Sequence, residues 1–276
     1  MATAQSARGL VSDVLHSFQR SPIFTFYVVT TLVVSGVVGL ITFDIIDLGM
    51  AHFGELSHRT HDVAYGLLFA TSVVGMLAQL RRPRHNVAGM TMALIPAASL
   101  LLAAVLSSDL DSVVRFNPLR YAAAVIVVAA LVHPAGREFF SSFNVSRTSP
   151  AMIGLVVIAS VPLLAFALAS IRLQRTDIGM HTFMGHYGFM AAFSFTVIGV
   201  SVLASLRPDG WRLTAWVAGL LPATLGIVSF IYPDASSSLT GFWAFAAMAW
   251  GAAFITTAEL TRPGATTDSI VQASQH

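Results

Sequence analysis

Apolar runs of about 20 residues, the length that crosses a bilayer core, recur along this chain and exclude most soluble folds. They lie at 23–43, 62–80, 88–107, 119–135, 151–171, 187–206, 213–232 and 239–258. In lipid a backbone must satisfy its own polar groups, so each run predicts a helix. The predicted fold class is all-α integral membrane, with eight transmembrane helices. Charge agrees: 10% of residues are charged, against about 25% in a soluble domain. The fourth run is the weakest, because Arg120 stands near its start. The first is too long for a signal-peptide core, and no A-x-A-like cleavage site follows it, so it predicts a retained helix.

Missing residue types narrow the chemistry. The chain has no Cys, which excludes disulfides, zinc–thiolate sites, iron–sulfur clusters and thiol nucleophiles. All 15 basic residues are Arg, which excludes a retinal Schiff base, since that needs a Lys amine. No basic run is long enough to suggest nucleic acid. With eight spans, Arg8, Arg20, Arg81, Arg82, Arg84, Arg137, Arg147, Arg207, Arg212 and Arg262 fall on the side of the termini. Arg59, Arg115, Arg120, Arg172 and Arg175 fall on the other. That excess predicts a plasma-membrane protein with both termini in the cytoplasm. The lipid bilayer is the implied partner, and other membrane subunits remain open.

The chain also repeats itself. Asp47-Leu48-Gly49-Met50 precedes the second run, and Asp177-Ile178-Gly179-Met180 precedes the sixth. Arg82-Pro83 and Arg207-Pro208 follow those runs, and Pro96 matches Pro222. His61 and His186 each stand 22 residues before the proline of the matched Arg-Pro pair. This predicts two repeated four-helix bundles, 23–136 and 151–259. They are flanked by a surface-lying amphipathic segment, 1–22, and a disordered tail, 260–276.

Chemistry-bearing side chains gather at the outer mouths of spans two and six. His52, His58, His61, His181 and His186 fall there, with Glu55, Asp62, Met50, Met180 and Met184. His16, His85, His133 and His276 are isolated on the other side. Imidazole with carboxylate binds transition metals, neutral imidazole ligates haem iron, and thioethers suit Cu(I). The predicted cofactor ligands are His58, His61, His181 and His186. His52, Asp62, Met50, Met180 and Met184 are further metal-ligand candidates. The same residues also suit the ordinary polarity of loops and helix ends. Asp44 and Asp47 form one D-x-x-D pair, read as a solvated helix end.

Glu55-Leu56-Ser57-His58-Arg59 and Gly36–Thr42 (GVVGLIT) resemble the heme A synthase family of haem-modifying membrane enzymes. That family has eight helices in two four-helix halves, with His pairs near the outer face and an E-x-x-H-R motif in the first outer loop. In the second half, Tyr187 rather than Arg follows His186. The partner histidines of that family have no counterpart in Ser112–Tyr121 or Ser236–Trp243. The resemblance implies bound haem, with Arg59 pairing a propionate and Glu55 acting as a catalytic acid or base.

Three functions therefore stand as expectations. The first is binding of b-type haem or a transition metal, copper among them, at the outer face. The second is a haem-modifying membrane oxidoreductase. The third is a copper or small-molecule transporter, or a non-catalytic assembly subunit. Whether the chain is an enzyme stays open. The scarcity of charge within the runs argues against an ion pump.

Overall fold

A computed structural model describes residues 59–111, 119–235 and 237–262, together with Ile23, Phe26, Thr30 and Gly36. The segment 1–22, Asp44, Asp47 and the tail from residue 263 lie outside it. The helices are α1 (Arg59–Ala78), α2 (Val87–Ser107), α3 (Leu119–Leu131), α4 (Glu138–Ser141), α5 (Pro150–Thr176), α6 (Met180–Phe183), α7 (His186–Leu206), α8 (Trp211–Ile231) and α9 (Gly241–Leu260). Among the described residues there is no strand. Among the described residues six helices are long and apolar enough to cross a membrane: α1, α2, α5, α7, α8 and α9. The protein is therefore an all-helical chain of multi-pass membrane type.

The fourth expected span, 119–135, is helical only over the 13 residues of α3. At about 1.5 Å per residue these cover about 20 Å, short of the hydrocarbon core. Residues 112–118, just ahead of it, lie outside the described set. Of the first expected span, Ile23, Phe26, Thr30 and Gly36 are helical, and Phe26 and Thr30 are buried.

α7 is the central helix, packed against α1, α2, α5 and α8. It is 72% buried, whereas α5 is 17% buried and turns most of its surface outward. Without a hydrophobic drive between helices in lipid, close approach depends on small residues. Gly219 and Gly251 supply it between α8 and α9, where a Cβ on Gly219 would stand 2.6 Å from the Gly251 carbonyl oxygen. Gly75 does the same for α1 and α2: its Cβ would meet the Gly89 carbonyl oxygen at 2.5 Å.

α1 and α7 end alike. Arg82 and Arg207 both adopt the left-handed conformation, φ 54 and 53, and each is followed by a buried proline. At this end of the bundle His133 is not isolated. Its Nδ1 accepts from the Ala135 amide at 3.3 Å, so Nε2 carries the proton and donates to Gln79 Oε1 at 3.1 Å. Phe26 and Phe139 press edge-on against its ring. The distant Gln79 partner is invisible in the sequence, which is why His133 reads as solitary there.

Candidate metal centre

The opposite end of the bundle is where α1 and α7 begin and where α5 and α8 finish. His61 lies in the first turn of α1 and is buried. His181 lies on the single turn of α6, and His186 opens α7. Gly185, at φ 74, joins the last two. Glycine meets no Cβ penalty in that left-handed conformation, so the chain reverses within a few residues and both imidazoles face His61.

The three rings form a nearly equilateral triangle. Centroid separations are 5.3 Å for His61–His181, 5.3 Å for His61–His186 and 5.5 Å for His181–His186. One nitrogen from each ring lies within 4.8 Å of the other two. His61 Nδ1, His181 Nε2 and His186 Nδ1 are shielded from solvent. Three imidazoles bound to one tetrahedral ion at about 2.0–2.1 Å have ring centres roughly 5 Å apart. The ring positions thus suit a single ion, with small rotations bringing the nitrogens inward.

The surroundings hold the rings in place. His61 Nε2 meets Ser237 Oγ at 2.8 Å, so Nδ1 is the nitrogen that could ligate an ion. Ser237 has φ 63, a conformation disfavoured for a residue with a Cβ. Beside it, Thr60 Oγ1 and Ser238 Oγ are 2.6 Å apart, and the Ser238 hydroxyl donates to the Tyr232 carbonyl at 2.8 Å. The α8–α9 connection is thereby fastened to the start of α1. Gln174, buried near the end of α5, fixes the other two histidines. Its amide donates to the Thr182 carbonyl and to Asp109 Oδ2, both at 2.8 Å, and its oxygen accepts from the Gly188 amide at 3.1 Å. Thr182 Oγ1 donates to Asp177 Oδ2 at 3.2 Å. Below the triangle, Tyr65 and Phe189 lie ring against ring at 4.8 Å, forming an apolar floor.

Of the residues singled out from sequence, the structure brings together His61, His181 and His186. Asp62 is half-buried beside His61 on α1. Met180 and Met184, flanking His181 in sequence, are exposed. Met50, His52, Glu55 and His58 lie outside the described residues, as does the side chain of Arg59. Sequence reasoning missed Ser237 and Gln174. The only signals for them are a Ser-Ser-Ser stretch in a short loop and one Gln within an apolar helix.

Two of these three rings cannot hold one haem iron from opposite sides while the third stays in place. Iron held by two imidazoles lies between them, and the macrocycle fills the plane midway between the two rings. Each ring here is nearly equidistant from the other two, so whichever pair is chosen, the third imidazole occupies that plane. Comparison with known proteins adds no assignment: no protein-family model, no curated protein and no solved structure matches this chain.

Proposed function

We propose that this protein is a multi-pass membrane metalloprotein. It holds one divalent transition-metal ion, copper or zinc, through His61, His181 and His186. The observation that carries the reading is the triangle of imidazoles, 5.3–5.5 Å on each side. An all-imidazole set suits copper and zinc, and copper stands highest in the general affinity order. Three protein nitrogens leave a fourth position open for water or substrate, the pattern of an ion that acts on a ligand rather than one that braces a fold. The Arg excess at the opposite end of the bundle supports an extracytoplasmic position for the ion. The matched Arg-Pro turns, with His61 and His186 equally spaced from them, support an architecture of two similar halves.

The test is metal analysis of detergent-purified protein beside its absorption spectrum. About one copper or zinc per chain is expected, lost when all three histidines are replaced by Ala. Absence of stoichiometric metal removes the reading. A Soret band at one haem per chain replaces it with the haem reading.

A second reading, copper capture for passage across the membrane, is favoured by the exposed Met180 and Met184 beside His181. Replacing both by Leu separates the two. Capture requires copper uptake by vesicles to fall in that variant, whereas a resident ion requires its bound metal to stay the same.

A further inference from the structure

A cavity of about 450 Å³ lies in the second half of the bundle, between α5, α7, α8 and α9. Its walls include Pro162 and Phe166 on α5, Phe193 on α7, Pro222 on α8, and Trp243 and Trp250 on α9. The volume suits a whole small molecule. Both prolines lie inside their helices and lack the N–H that would continue the hydrogen bonding there. Ser194 supplies a hydroxyl to the lining, but that hydroxyl already donates to the Met190 carbonyl at 3.3 Å. The lining therefore has little to offer a polar ligand and much to offer a hydrocarbon.

The cavity opens sideways. Ile158 on α5 and Trp243 on α9 both line it, yet they are 67% and 47% exposed. They form the two lips of a mouth facing the lipid. The Trp250 indole N–H donates to the Leu155 carbonyl at 2.9 Å, tying α9 to α5 one turn before Ile158. The upper wall includes Leu239, two residues beyond Ser237, which bonds to His61. Along α7, Phe193 stands seven residues after His186, a rise of roughly 10 Å. A molecule extending about 10 Å beyond the cavity along α7 would reach the level of His186.

We infer that this cavity binds the single hydrocarbon tail of a membrane-dissolved amphiphile that enters between α5 and α9. The polar head lies toward His61, His181 and His186, at the open position of the ion. The placement of the head rests on the metal reading above; the tail site does not.

The probe is a long-chain fatty alcohol with a photoactivatable diazirine in its tail, added to the full-length protein in phospholipid nanodiscs and mapped by mass spectrometry. Saturable labelling of the α5 and α9 peptides is expected, displaced by unlabelled alcohol far better than by added phospholipid. Ala159→Phe and Ala246→Phe fill the cavity from opposite walls. Each should weaken binding roughly tenfold, as overpacking predicts, with metal content unchanged. Labelling that never saturates, matches that of the outward-facing Val161 and Phe245, and ignores both variants overturns the tail site. Such a result would mean ordinary surrounding lipid. For the head, the alcohol should compete better than an alkane of equal length, and this advantage should vanish when the three histidines become Ala. Equal competition by alcohol and alkane in metal-loaded protein overturns the head placement. Saturable labelling of protein that carries no metal upholds the tail site and removes the metal reading alone.

Discussion

His61 and Ser237 stand 176 residues apart in the chain, and their side chains meet at 2.8 Å. If Nδ1 ligates an ion, Nε2 carries the proton and donates to this hydroxyl, which then fixes the tautomer and the ring's orientation. Partners of this kind are typically worth about 10–100-fold in metal affinity. Ser237→Ala should show that loss in titrations against a competing chelator. Ser237→Gly should show it too, yet keep Tm about unchanged, because glycine is at ease at φ 63. Unchanged affinity in both variants would show that the hydroxyl does not position the ring.

Gln174→Leu removes three hydrogen bonds at once, one buried and two partly buried. The Gly188 amide, the Thr182 carbonyl and Asp109 each lose this partner. The cost expected is about 2–4 kcal/mol in thermal unfolding. Because His181 and His186 lie on the segment that Gln174 pins, bound metal should fall as well. A loss of stability with full metal occupancy would separate the two roles.

Acid should release the ion. Protons compete with the metal for the same three nitrogens, so occupancy falls as pH is lowered and recovers on return to neutral pH. Dialysis at stepped pH with metal analysis measures this. Occupancy that stays constant into strong acid would point to ligands other than imidazole.

At the other end of the bundle, His133 and Gln79 form a buried pair 3.1 Å apart. Removing either partner alone, by Gln79→Leu or His133→Phe, should cost about 1–3 kcal/mol, because the other is left buried without it. The double variant should cost less than the sum, giving a measurable coupling energy in a double-mutant cycle. Metal content should not change in any of the three.

Gly219→Val should be among the most damaging single substitutions in the second half. Its Cβ would stand 2.6 Å from both the Gly251 carbonyl oxygen and Ile255 Cγ1; the side chain can turn away but the backbone cannot, so α8 and α9 must separate. A cost of about 3 kcal/mol or more is expected from overpacking, read as a lowered Tm in detergent.

Periodicity and spacing make much of this legible in advance. Runs of about 20 apolar residues mark α1, α2, α5, α7, α8 and α9, because lipid leaves a chain no alternative to satisfying its own backbone. The equal spacing of His61 and His186 from their Arg-Pro turns puts both at one depth, where the structure has them 5.3 Å apart. His181 is harder to foresee, because its approach depends on the left-handed turn at Gly185. Ser237 and Gln174 cannot be singled out from composition. A hydroxyl or an amide gains its importance from a partner far away in the chain, and no local pattern encodes that partner. The 119–135 run shows the converse limit, since its apolar residues continue past Leu131 while the helix does not.

The fastening of the α8–α9 connection to α1 also sets an order in time. The ring of His61 is made early in synthesis, but the hydroxyl that orients it belongs to residue 237. Until α8 has entered the membrane and the chain has turned back toward α9, His61 has no Ser237 to meet. A nascent chain that has reached only α7 carries all three imidazoles without the clasp that aligns the first. If the triangle holds an ion as proposed, high-affinity capture belongs to the completed protein, and the growing chain is spared from gripping an ion while its helices are still finding their neighbours.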